Sequence, residues 1–218
     1  MVVSVEQVFH LQEKCLQHAL PLVREQFTFV KGCIELIVNR HLHTEVLDQL
    51  DDQDRERIRG VHTYLNEALS HLIISLKLAL YGAHVECLSI LRNALERMAN
   101  MAAIVENQKL QQPLKYKTAV QKIKAGNEIK KLHSGLSRIA VHVEMSMSQR
   151  FDLDGQSYPR LGMAIDSEGN NLVMRELTKA TLYVVRVLTS FYNLKQDIVG
   201  EAYFQQVKSL EDEFSRLV

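Results

Sequence analysis

"VHTYLNEALSHLIISLKLALYGAHVECLSILRNALERMANMAAIV", residues 61–105, decides the fold. Before Gly82 the apolar residues Val61, Leu65, Ala68, Leu72, Leu76 and Ala79 recur every three or four positions, the period of a helix with one face on a core. Lys77 is the only formal charge between Glu67 and Gly82, so this helix is expected to be largely buried. After Gly82, the residues His84, Leu88, Leu91, Leu95, Met98, Ala102 and Val105 alternate steps of four and three, the seam of helices packed nearly antiparallel. Gly82 is a natural residue for the left-handed position at which helices end. The stretch therefore reads as a tight αα-hairpin, 61–81 against 83–105, at the centre of a bundle.

The rest of the chain extends the pattern. One helix is expected from Ser4, as N-cap, to His18, with Pro21 ending it or starting the next, and a second from Leu22 to Arg40. "HTEVLDQLDDQDRERIRG", residues 43–60, has apolar side chains only at Val46, Leu47, Leu50 and Ile58, and reads as a short charged surface helix and connector closed by Gly60. A shorter helix follows Pro113, and Gly126 and Asn127 separate it from a helix over Glu128 to Met147. Residues 150–170 carry Asp154, Gly155, Pro159, Gly162 and Gly169, and suit a loop or small β-hairpin. Asn170 or Asn171 is expected to cap an apolar helix to Lys195, and a last amphipathic helix spans Gly200 to Arg216. The class is all-α, a single helical bundle over residues 1–218 with no internal repeat.

Composition limits function. Lys plus Arg equals Asp plus Glu at 26 each, so no overall basic excess points to nucleic acid. The lysines at 115, 117, 122, 124, 130 and 131 read as a solvated face. Cys15, Cys33 and Cys87 form neither a CxxC pair nor an even set, which suits a reducing, cytoplasmic setting. "MVVSVEQVFHLQEKC" does not read as a signal peptide. The most apolar window, Ala68 to Val85, is too short for a membrane span and is interrupted by His71, Lys77 and His84.

Several chemistries are also disfavoured. No Glu stands three residues before any of the nine histidines, as di-iron bundles require. His41 and His43, two apart, point to different sides of a helix. Asp52, Asp54 and Glu56 begin like a calcium loop, but Arg57 stands where glycine is needed and Thr63 where glutamate is. Phosphate-binding glycine loops and a GxSxG elbow are missing, so no metal, cofactor or nucleotide is expected.

What remains is polar residues on packing helices. In "LSILRNALERM", residues 88–98, Arg92 lies about a quarter-turn from the buried stripe and four residues before Glu96. Ser89, Asn93 and Asn100 fill a narrow polar face, so these charges are expected to be half-covered and to need partners. In "HSGLSRIAVH", residues 133–142, Ile129, Leu132, Leu136, Ile139 and Val143 supply or flank the core stripe. Arg138 and His142 share another side with Gly135, whose missing side chain would admit a neighbouring helix or a ligand.

These two stretches resemble uncharacterised bacterial helical domains related to HEPN domains, over roughly residues 60–195, with the N-terminal helices of residues 4–58 packed on that core. The resemblance implies a site built from Arg92 and Glu96 on one helix and Ser137 and His142 on another, with Arg138 beside them. HEPN nucleases pair an Arg with a His across four to six intervening residues and act on RNA, often as dimers. Here only three residues separate Arg138 from His142, so the nuclease pattern is not met. The expected function is a binding or interaction module for a small ligand or partner protein, with a polar pocket between two core helices. The alternative is a ribonuclease or toxin using His142 with Arg92 or Arg138, the imidazole moving the 2′-hydroxyl proton. No catalytic residue is assigned. A homodimer is expected because Leu182, Val185 and Tyr192 lie off the inward stripe of Val173, Leu177, Val184 and Leu188.

Overall fold

The computed structural model describes residues 5–41, 52–107, 114–146, 150–153, 156–159, 167–193 and 201–217, with the side chains of 5–8, 11, 40–41, 52–55, 57–58, 139–146, 150–153, 156–159, 167–169 and 191–193 outside the description. The element order is α1 (Val5–Leu22), α2 (Arg24–His41), α3 (Asp52–Leu80), α4 (His84–Glu106), α5 (Tyr116–Gln121), α6 (Gly126–Ser146), β1 (Arg150–Leu153), β2 (Gln156–Pro159), α7 (Ser167–Asn193) and α8 (Glu201–Leu217). The fold is an all-α bundle carrying one antiparallel hairpin, in which Phe151 pairs with Tyr158 and Asp152 with Ser157.

The α3–α4 hairpin is the most extensive packing in the chain. Gly82 takes φ 74°, the left-handed conformation expected of it. The Ala83 N–H donates to Leu78 O at 2.9 Å and the Gly82 N–H to Ala79 O at 3.1 Å, the paired bonds that close a helix on such a glycine. Val61, Leu65, Ala68, Leu72 and Ala79 on α3, and all seven seam residues of α4, are buried.

Three boundaries differ from the sequence reading. Gly60 does not close a helix: α3 runs through it from Asp52. A Cβ at Gly60 would lie 3.4 Å from Ile104 Cδ1, so glycine fits where α3 passes close to the end of α4. The charged turn before it, with Arg59 paired to Glu56 at 2.7 Å, consists of good helix formers. Residues 42–51 of that segment lie outside the described residues. Pro21 sits inside the last turn of α1, with Val23 at the turn into α2. Asn170 is no cap: α7 begins at Ser167, and the Asn170 side chain is buried against α4.

Helix α7 lies at the centre, touching α1, α2, α3, α4, α6 and α8. Leu182 and Val185, read from sequence as surplus surface, are 1% and 0% exposed, covered by the chain's own helices. The Tyr192 side chain lies outside the described residues. Leu182 and Val185 are thus spent inside one chain and offer no surface to a second copy. At the α5–α6 corner a Cβ on Gly126 would lie 2.0 Å from Val120 O, so the corner admits only glycine. No helix among the described residues is long and apolar enough to cross a membrane.

Candidate functional site

One face of α4 carries polar residues at four-residue steps, Arg92, Glu96 and Asn100, and α5 and α6 close against it. The chain is tied to this face before α5 begins: the Leu114 N–H donates to Asn100 Oδ1 at 2.8 Å. Past α5, the Lys124 N–H donates to Glu106 Oε2 at 2.7 Å, and Asn107 Nδ2 donates to Lys122 O at 3.0 Å. These bonds satisfy backbone groups of a connecting segment that has little ladder of its own. They deliver Tyr116 and His133 beside Arg92 and Glu96.

At the centre, His133 Nε2 lies 3.4 Å from Glu96 Oε1. Tyr116 stacks on the imidazole, with ring centroids 4.5 Å apart and planes 25° from parallel. The His133 side chain is 16% exposed and that of Glu96 43%, so the pair opens to solvent on its carboxylate side. Burial lowers the His133 pKa and the Arg92 charge lowers it further, while the bond to Glu96 works the other way. The imidazole is therefore biased toward its neutral form. Burial also pushes the Tyr116 hydroxyl up to about 12, with Glu96 adding and Arg92 opposing. Arg92 Nε and the Tyr116 hydroxyl are both shielded from solvent and have no hydrogen-bond partner among the described residues.

Of the residues read from sequence, the structure brings Arg92 and Glu96 to this corner. Ser137 is near it in a supporting role, its Oγ donating to His133 O at 3.1 Å. Arg138 is exposed. The His142 side chain lies outside the described residues; its position on α6 is nine residues from His133, about 13.5 Å along the axis at the helical rise.

Sequence reasoning missed Tyr116 and His133. His133 begins the stretch "HSGLSRIAVH" and stands four residues before Ser137 on one helical side, a usable signal. Tyr116 had none, because its place depends on the tie between Leu114 and Asn100.

The corner offers two donors without acceptors among the described residues, one half-exposed carboxylate and an imidazole biased toward its neutral form. Among the described residues no group of three or more His, Cys, Asp or Glu is placed to hold a metal. The thiols of Cys15, Cys33 and Cys87 are buried and pushed up to about 11, 12 and 12, so they stay protonated at neutral pH. No protein-family model, curated protein or solved structure matches this chain.

Proposed function

We propose that this chain is a helical binding module whose ligand enters the corner of α4, α5 and α6 and is held through an acceptor oxygen by Arg92 and Tyr116. The observation that carries the reading is the pair of shielded donors, Arg92 Nε and the Tyr116 hydroxyl, without partners among the described residues. A donor left unmade in a protein interior costs about 1–3 kcal/mol, and a network kept only for register would satisfy its members. An oxygen-bearing ligand satisfies both. Glu96 and His133 then select for protonation state, the carboxylate repelling a ligand that brings a second negative charge near it and the neutral imidazole accepting a hydrogen bond.

The packing of α4 against α6 supports the resemblance to HEPN-related domains as part of this reading, since it joins the two stretches that carry it. A ribonuclease built on His142 with Arg92 or Arg138 is the rival class. Small carboxylates and phosphomonoesters screened by thermal shift separate them. Binding is expected to raise the melting temperature of the wild type and to be lost in Arg92→Ala and weakened in Tyr116→Phe. A screen in which every hit survives Arg92→Ala ends the binding reading. Cleavage of single-stranded or structured RNA by the wild type, abolished in His142→Ala, would put the nuclease in its place.

A further inference from the structure

A second cleft lies on the other side of α6, between it, α7 and the end of α8, with a volume of about 440 Å³. That is inside the range of small-ligand sites, about 300–1,000 Å³. Its apolar lining comes from the half-buried Leu132 on α6 and Phe214 on α8, with the buried Ile129 and Leu182 beneath them. Gly135, in the middle of α6, also lines it. A Cβ built there meets nothing within 4 Å, so no helix contact requires the glycine. Glycine is the costliest residue after proline in a helix interior. A position that is costly for the helix and unneeded for packing, at the wall of a cleft, is accounted for by what the cleft admits.

The rim sets the ligand's polar end. Glu176 is only 5% exposed and is neutralised by Lys179 Nζ at 2.8 Å and Arg175 Nε at 3.4 Å. Arg186 uses its Nε on Glu211 at 3.1 Å, and its two terminal nitrogens have no other partner among the described residues. Lys131 is exposed and without a described partner. These leave spare donors over an apolar floor. Glu128, on the same rim, disfavours a ligand with two negative charges. We infer that the cleft binds a small amphipathic monoanion, an alkyl body over Leu132 and Phe214 with a carboxylate against Lys131 and Arg186. This site is independent of the corner at Arg92 and Tyr116.

Octanoate is the probe, with 1-octanol as its uncharged counterpart, titrated calorimetrically into the full chain. Octanoate is expected to bind at least about tenfold more tightly than 1-octanol, a discrimination of about 1.4 kcal/mol. Gly135→Leu fills the cleft and is expected to abolish octanoate binding without lowering the melting temperature. Lys131→Glu, on the exposed rim, is expected to weaken it by about tenfold, and carries the test should Gly135→Leu fail to fold. Absence of octanoate binding by the wild type, equal affinity for 1-octanol, or affinity unchanged in the folded variants overturns the proposal.

Discussion

Helix α4 makes two histidine contacts with neighbouring helices, and they are built to opposite specifications. Near its start, His84 Nε2 meets Asn170 Oδ1 of α7 at 2.6 Å, with the two residues 1% and 2% exposed. Midway, Glu96 meets His133 of α6 at the longer 3.4 Å, with the carboxylate nearly half exposed. The first pair is short and sealed, and its partner is a neutral amide, so neither water nor a solvent ion reaches it. The second pairs an ionisable ring with a charge at the edge of water. A closed polar contact fixes how two helices sit, since breaking it strands a buried group. An open, titratable one responds to what arrives, which is the behaviour expected of a site.

That contrast presumes that one rigid α4 holds both contacts, and the largest expected effect tests the presumption. Leu91 and Leu95, both fully buried, lie on α4 between His84 and the corner at Glu96. Leu91→Ala or Leu95→Ala is expected to cost about 2–5 kcal/mol in chemical denaturation. A loss under about 0.5 kcal/mol at both positions would mean that α4 does not anchor the bundle. The closed contact comes next. Asn170→Ala removes the acceptor from the buried His84 Nε2 contact and is expected to cost about 1–3 kcal/mol, while leaving the titration of His133 where it was. A shift of His133 in that variant would show that the two contacts are coupled and the contrast too simple.

How far the sequence alone reached follows the same division between local and long-range causes. The α3–α4 hairpin was legible because its causes are local: a stripe every three or four residues and a glycine at the one position that must turn left-handed. Gly60 and Asn170 misled because local habits were overridden by partners far along the chain. Gly60 continues a helix that passes close to Ile104, and Asn170 spends its side chain on His84 instead of its own helix end. The surplus on α7 was misread for a related reason, since periodicity cannot say how many helices will surround one. At the corner, Arg92 and Glu96 stood out as charges on a packing helix. His133 joins them through the packing of α6 on α4, and Tyr116 only through α5, whose approach depends on Asn100 and Asn107 holding backbone groups of a segment with no periodic signal.

A smaller effect, of opposite sign, separates the two faces of α6. Gly135 faces the second cleft and not the corner at Glu96. Because its Cβ would meet open space, Gly135→Ala is expected to stabilise the chain by about 0.5–1 kcal/mol through helix propensity. Its thermal denaturation should show a raised midpoint with the His133 titration unmoved. A destabilised variant would mean that the cleft wall is packed and the glycine needed for the fold.

The smallest effect on stability belongs to Glu96, and it decides whether the open contact is open in the sense meant here. His133 titrates below the usual histidine value of about 6.5. As pH falls through that value the unfolded chain takes up its proton first, so between there and the folded pKa the unfolded state holds more protons. Stability therefore rises with pH across this window, is complete above it, and is lost as the solution is acidified toward the folded pKa. Glu96 opposes the depression. Glu96→Gln is thus expected to lower the His133 pKa further and to extend the window of acid destabilisation downward. At pH 7 the imidazole is mostly neutral in both states, and a half-exposed pair contributes at most about 1 kcal/mol, so the midpoint there should hardly move. Proton NMR of the His133 ring across pH 4–8, in the wild type and the variant, reads this directly. A His133 pKa that rises or stays fixed in Glu96→Gln would mean that the carboxylate does not engage the ring in solution, and the contrast with the closed contact of His84 and Asn170 would then fall.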